Sequence, residues 1–332
     1  MARLFKEVLG RELKLPLKRL TYKDVVTRFG SDKPDLRYGM EIFDLTETLR
    51  GTGFGVFRGA IEGGGSVRGI LAKDAVKTLS RKEIDKFIEF IRGVGGRGIA
   101  WARLSSEGMT SSFAKFMTEA EMEAIYQVSG ASEGDVLLLI ADTSSATVLS
   151  HLGLLRTEVA KRLDIIDREQ MEPFWILEFP FFEKDEETGA FHPMHHAFTA
   201  PMDESLAYLE TDKERVRAKA YDLVLNGIEL ASGSIRITDA ALQKRIFDIL
   251  GLSPEESQQK FGFLLDAFQY GPPPHGGMAL GLDRIVMLLA GAESLRDVVA
   301  FPKLKDASDP MTDCPDTVEA AHLHELGLTL LE

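Results

Sequence analysis

GPPPHGGMALGLDRIVMLLAGAESLRDVVAFPK, residues Gly271–Lys303, puts chain breakers, small residues, a charged pair and an apolar run in strict succession. Pro272, Pro273 and Pro274 lack backbone N–H groups and do not lie mid-sheet. The run Gly276–Gly281 then reads as a glycine-rich strand. Asp283 and Arg284 follow, and a strongly apolar helix is expected over about Ile285–Leu289. Asp283 would accept from the free N–H groups of the first turn. Arg284 would sit near a helix N-terminus, where the dipole and open N–H groups favour anions, and a guanidinium there suits a phosphate. No Gly-Lys-Ser/Thr occurs, so this is not a P-loop, and the glycine spacing is not that of a dinucleotide fingerprint. From the residues two readings stay open: an anion site, or a capped buried helix with a solvated arginine.

A chain of 332 residues has room for one large or two modest domains with a sizeable core. Its 44% hydrophobic and 27% charged residues are ordinary for soluble globular proteins. The one cysteine, Cys314, excludes an internal disulfide framework and fits a reducing compartment, so the expected location is the cytoplasm. No 18-residue apolar run occurs, and the mixed-charge N-terminus lacks the apolar centre of a signal peptide. The net charge of −13 argues against indiscriminate nucleic-acid binding but leaves room for a local patch. Residues 1–28 carry an excess of five positive charges, which either face phosphate or lie on a solvated helix and loop.

The texture changes near Gly51. Gly51-Thr52-Gly53-Phe54-Gly55 opens a segment with its own strands and helices. Ser80–Glu83 reads as a capping box before a helix at Ile84–Gly93. Strands are expected at 98–104 and 135–141, and helices at 118–126 and 152–163. An α+β module over 52–165 is therefore expected to interrupt the rest, 1–51 and 166–332. Beyond it, Phe174–Phe182 reads as an apolar strand, and the acidic loop Glu183–Gly189 leads to a second strand near Ala190–Ala197. Helices are expected at Asp239–Leu250 and Pro254–Tyr270. The fold class is α+β: a mainly antiparallel sheet with flanking helices and an inserted module.

Asn226-Gly227 between alternating segments is the strongest two-residue hairpin signal. A two-residue loop pairs Leu225 with Ile228, Val224 with Glu229 and Asp222 with Ala231. Side-chain alternation then puts Leu223, Leu225, Ile228 and Leu230 on one face, and Asp222, Val224, Glu229 and Ala231 on the other. Asp222 and Glu229 become diagonal neighbours that repel unless a cation joins them. Their hard oxygens suit Mg²⁺, which takes one or two carboxylates plus phosphates; a solvent-facing strand surface is the alternative. Strict alternation from Glu229 would put Arg236 on the apolar face. A bulge within Ala231–Ser234 would return it to the carboxylate face, and that bulge is expected. His192, His195 and His196 cluster near a strand end, but no cysteine is near and the spacing is not that of a zinc-binding helix. Gly30–Asp35 is turn-rich by composition and is expected to be a structural loop near this site.

These segments resemble one family. GGMALGLDRIVMLLAG looks like motif 3 of class II aminoacyl-tRNA synthetases. GSDKPDLR at Gly30–Arg37, MHHAFTAP at Met194–Pro201, YDLVLNGIELASGSIRI at Tyr221–Ile237, KFGFLLDAFQYGPPPHGG at Lys260–Gly277 and the run into Ala300-Phe301-Pro302-Lys303 are similar to the bacterial-type aspartyl enzymes. The resemblance implies a class II sheet and an insertion domain shared with an amidotransferase subunit. It implies two steps: ATP activates aspartate to aspartyl-adenylate, and the aspartyl group passes to tRNA. Arg284 would hold ATP phosphates and, with Glu229, be catalytic. Gly281, Leu282, Asp283 and Arg284 would line the nucleotide site, and Asp222 and Glu229 would hold Mg²⁺. Arg236, His195 and His196 would bind the aspartate side chain. The tRNA would be that for aspartate, with the asparagine species a further option, and the family works as a homodimer. Motif 1, motif 2 and the anticodon-binding barrel are not found, so the chain resembles the family's C-terminal portion, with open sheet edges expected. The alternatives are a non-catalytic paralogue or fragment that binds nucleotide, amino acid or a protein, and a related ligase with a free acceptor.

Overall fold

The structure is a computed structural model that describes residues 1–185 and 187–330. Glu186, in the expected acidic loop, lies outside the described residues. In chain order the strands are β1 (Lys18–Thr21), β2 (Phe43–Asp44), β3 (Ser66–Ala72), β4 (Ala100–Ser105), β5 (Gly108–Ser111), β6 (Val136–Asp142), β7 (Pro173–Leu177), β8 (Phe182–Lys184), β9 (Phe191–Pro193), β10 (Ala220–Leu225), β11 (Ile228–Ile235) and β12 (Gly276–Leu280). The helices are α1 (Ala2–Leu9), α2 (Tyr22–Phe29), α3 (Gly55–Glu62), α4 (Arg81–Gly93), α5 (Glu119–Ser129), α6 (Ser145–Leu163), α7 (Ala240–Ile249), α8 (Pro254–Phe268), α9 (Leu282–Ala290) and α10 (Ala320–Glu325). The chain divides into two compact units, residues 13–280 and residues 1–12 with 281–332.

The larger unit holds two five-stranded sheets. The first runs β1-β7-β10-β11-β12. It is antiparallel except for β1 beside β7, the one parallel pair in a sheet expected to be mainly antiparallel. Phe174, Ile176 and Val224 lie in one buried cluster with Val25 and Phe29 of α2. The expected strand Phe174–Phe182 stops at Leu177, because Glu178 takes a positive φ of 58° that turns the chain. The strand expected near Ala190–Ala197 is shorter still, since β9 ends at Pro193. The edge strand β12 is exposed along its whole length.

The second sheet runs β2-β3-β6-β4-β5, all antiparallel. Its central strands β3 and β6 are mostly apolar because both faces are covered. Ile70, Leu138 and Ile140 pack with Ile84, Phe87, Leu152 and Leu155 of α4 and α6. The alternate residues Val67, Leu71, Leu137 and Leu139 pack with Phe57 of α3 and Ile125 of α5. The sheet takes in Phe43 and Asp44, upstream of the boundary expected at residue 52, and Leu45 and Leu49 join its core. Gly69 permits this, since a Cβ there would lie 2.3 Å from Leu139 and 2.8 Å from Phe43. Ser80 caps α4, but the reciprocal half of the expected capping box is missing. Glu83 pairs with Arg162 and Lys86 instead.

In the smaller unit α1 lies against α9, with Phe5, Ile285 and Met287 buried. Helix α9 starts at Leu282, three residues ahead of the expected Ile285, and its N-cap is Gly281 rather than Asp283. Asp283 is a first-turn residue, and no side chain caps the helix.

Candidate active site

The hairpin forms at Asn226-Gly227, whose φ values of 51° and 85° are those that this tight turn requires. Leu225 pairs with Ile228 and Val224 with Glu229, as the loop length dictates. The ladder then shifts: Leu223 faces Ala231, and Asp222 faces Ser232 rather than Ala231. Leu230 is the extra residue, so the bulge falls just ahead of the expected Ala231–Ser234 stretch. The physical reason is burial. Leu230 is 1% exposed, and a bulge residue freed from the ladder can turn its side chain inward. The shift moves Ala231 to the face of Leu223, away from where strict alternation put it. Asp222 stays with Val224 and Glu229, now joined by Ser232 and Ser234. The same alternation brings Arg236 to this face, the consequence expected of the bulge.

Segment 198–201 runs beside the far end of β11. Ala200 N donates to Ile235 O at 2.8 Å, and Ile237 N donates to Phe198 O at 2.9 Å. Thr199 bridges to Arg236, and its Oγ1 lies 3.5 Å from Ser234 Oγ, both buried. Arg236 N donates to His275 O at 3.0 Å, while His275 Nδ1 meets Pro273 O at 2.9 Å. His275 therefore holds the proline turn against the strand.

This scaffold puts His195 and His196 beside the polar face. The His195 ring stands edge-on to Phe179, with centroids 4.8 Å apart. Burial lowers its pKa, and the Glu229 carboxylate pulls the other way. His196 Nδ1 accepts from Phe198 N at 3.2 Å. Burial and then the Arg236 charge lower its pKa. The neutral ring thus keeps its proton on Nε2, as a donor. His192 sits on β9 with its side chain exposed, apart from this group.

Two buried atoms on the polar face lack any partner: Asp222 Oδ1 and Arg236 Nη1. Asp222 is 7% exposed. Burial first, then the charges of Glu229 and Asp32, push its carboxyl up to about 6, against the opposing Ser232 hydroxyl and Lys33 ammonium. Lys33 offsets only part of this, so the Asp222 carboxylate is under-compensated, and the Arg236 guanidinium keeps one buried nitrogen without an acceptor. Hard oxygens from two carboxylates, completed by phosphate oxygens, fit Mg²⁺. Among the described residues no three His, Cys, Asp or Glu side chains group as a metal site.

Asp32 and Lys33 come from the loop expected to be structural and near the active site, and their effect on Asp222 places charge of both signs beside it. No spacing signal gives the role of either residue, because their juxtaposition with Asp222 is tertiary. Gly281, Leu282, Asp283 and Arg284 lie in the smaller unit. There, the first turn of α9 carries exposed Arg284 and has no side-chain cap on its N–H groups. An apolar cavity of about 280 Å³ between α7 and α8, lined by Phe247, Leu252 and Phe268, contains none of these residues.

Residues 1–305 match the family model for tRNA synthetases class II (D, K and N). The aspartate--tRNA ligase of Clostridium botulinum (strain Kyoto / Type A2) is 49% identical over 332 residues, 100% of this chain and 56% of the relative. That of Clostridium perfringens (strain SM101 / Type A) is 48% identical over 330 residues, 99% of this chain and 55% of the relative. The solved aspartyl tRNA synthetase from Entamoeba histolytica is 21% identical over 47% of this chain and 27% of that one, with a TM-score of 0.33. The chain thus spans about half the length of the curated relatives it matches. With the family model covering nearly the whole chain, this protein belongs to the class II tRNA synthetases of the aspartate, lysine and asparagine group.

Proposed function

We propose that this chain carries the aspartate-activation site of an aspartate--tRNA ligase. In the first step an aspartate α-carboxylate oxygen attacks the α-phosphorus of ATP. A new P–O bond forms, the α–β bridge breaks, and pyrophosphate leaves. In the second, a terminal ribose hydroxyl of aspartate tRNA takes the aspartyl group and AMP leaves. The chain's own groups work by positioning and charge, as such transfers require. Arg236 binds the substrate's side-chain carboxylate through a fork that lysine does not offer. His195 and His196 donate to the same group. Asp222 and Glu229 would hold Mg²⁺, which when bound would neutralise phosphate charge. Within the smaller unit, Arg284 is the candidate for a phosphate contact, and Gly281, Leu282 and Asp283 are the candidates for contacts to nucleotide. The substrates are aspartate, ATP and the tRNA, and the compartment is the cytoplasm.

The observation that carries this reading is the pair of unsatisfied buried atoms, Asp222 Oδ1 and Arg236 Nη1, on one face of one hairpin. A site built for a carboxylate beside a metal-bound phosphate leaves these two groups open until its ligands arrive. The close similarity to aspartate--tRNA ligases along the full chain supports the same reading. Calorimetry with the purified chain tests it. Aspartate should bind at least about tenfold more tightly than asparagine, whose amide presents a donor to the Arg236 guanidinium. Equal affinities, or no binding to a folded chain, would overturn it.

A further inference from the structure

The turn of the hairpin abuts segment 30–40, and the same segment contacts helix α6 of the inserted module. Arg156, on α6, is 1% exposed, and its guanidinium meets backbone oxygens rather than a carboxylate. Nη2 donates to Asp35 O and to Gly39 O, both at 2.6 Å. Nε donates to Gly39 O at 3.0 Å and to Met40 O at 3.1 Å, and Nη1 to Tyr38 Oη at 3.3 Å. The cation also stacks on the rings of Tyr38 at 4.3 Å and Phe29 at 4.9 Å. Burying a full charge costs several kcal/mol unless its donors are used, and here every nitrogen of the fork has an acceptor on residues 35–40. One turn earlier on the same helix, Gly153 touches Gly30 backbone to backbone. A Cβ on Gly153 would lie 2.3 Å from Gly30 O, and one on Gly30 would lie 2.1 Å from Leu149 O. Thr157 Oγ1 lies 3.3 Å from Tyr38 Oη.

The opposite side of the segment abuts the hairpin turn. Lys33 O and Asp35 Cβ lie 3.9 and 3.5 Å from where a Cβ of Gly227 would be. A cleft of about 640 Å³ runs along this seam, lined among others by Asp32, Lys33, Arg156 and Gly227. The other face of α6 is committed to the module's core through Val148, Leu152, Leu155 and Val159. Thus one helix belongs to the inserted module on one side and to the segment 30–40 on the other.

We propose that Arg156 is a positioning residue of the aspartate site: it fixes segment 30–40, and so the placement of Asp32 and Lys33 against the Asp222–Glu229 hairpin. It acts through the segment and touches no substrate. The proposal makes the inserted module a structural partner of the chemistry, and it rests on the aspartate-activation reading. The charges of Asp32 and Lys33 felt by Asp222 agree with this placement.

The test compares Arg156→Met and Arg156→Lys with Arg162→Met in the whole chain. Arg162 lies on the same helix and pairs with Glu83 inside the module, so its loss perturbs the helix without touching segment 30–40. Aspartate affinity is read by calorimetry, and amide exchange by mass spectrometry. The expected result is a loss of aspartate affinity of about tenfold in Arg156→Met, the scale of one charge-assisted contact network. Arg156→Lys should fall between, and Arg162→Met should match the parent. Exchange at residues 31–40 and 226–228 should accelerate about tenfold in Arg156→Met while β3 and β6 stay protected. Aspartate affinity within twofold of the parent in a folded Arg156→Met, or no gain in exchange over 31–40, overturns the proposal. Should Arg156→Met not fold, Arg156→Lys carries the same two criteria. If the parent chain binds no aspartate, the activation reading fails on its own, and exchange alone then decides whether Arg156 fixes the segment.

Discussion

Replacing Asp222 with asparagine should stabilise the protein at neutral pH, and the gain should depend on pH. The carboxyl sits at about 6 in the folded chain against 3.8 as a free group, chiefly through burial. Between those values the folded state holds a proton that the unfolded state has lost. Stability contributed by this group therefore falls as pH rises from about 4 to about 6, and the full penalty stands above 6. A shift of about two pH units is worth at most about 3 kcal/mol, and solvent screening reduces that to roughly 1–2 kcal/mol. Asparagine keeps the shape and can still accept from the Ser232 hydroxyl. Asp222→Asn should thus match the parent near pH 4 and exceed it by roughly 1–2 kcal/mol at pH 7.5, a few degrees in melting temperature. Melting curves from pH 4 to 8, with no divalent ion present, measure this directly. A difference that does not change with pH, or a variant less stable at pH 7.5, would refute the claim that an uncompensated buried charge sits here. Adding MgATP should raise the parent's melting temperature more than the variant's.

Arg236→Ala should weaken aspartate binding about 10- to 100-fold in calorimetry, the worth of a charge-assisted pair, while ATP binding persists. Arg284→Ala should do the reverse, weakening ATP by a similar factor; unaltered ATP affinity would count against its phosphate role. Gly153→Ala should cost about 1–3 kcal/mol in chemical denaturation, because its Cβ would lie 2.3 Å from the Gly30 carbonyl oxygen, and neither backbone has room to yield.

Local chemistry made some elements legible. Asn226-Gly227 specified its own turn, and Thr118, Asp239 and Ser253 each cap the helix that follows them. That Arg236 returns to the carboxylate face also followed from the small residues of β11. The exact site of the bulge did not, because several small residues could absorb the extra position and the burial of Leu230 selected among them. The start of α9 was misplaced for a related reason: a glycine cap leaves no side-chain signal, whereas Asp283 offers a false one. The Gly30–Asp35 loop was expected near the site, but the roles of Asp32 and Lys33 and the burial of Arg156 were beyond reach. Arg156 reads as a solvated charge on a helix, and only the arrival of residues 35–40 turns it into a buried anchor. Elements set by neighbours in sequence were readable, while groups set by neighbours in space were not.

Aspartate-dependent exchange of labelled pyrophosphate into ATP tests the central claim most directly. It would be run on the purified chain with an added upstream piece from a full-length relative, and on each part alone. Exchange that needs aspartate, is lost in Arg236→Ala and appears when both parts are present is the predicted result. No exchange from a folded mixture of the two would contradict the account.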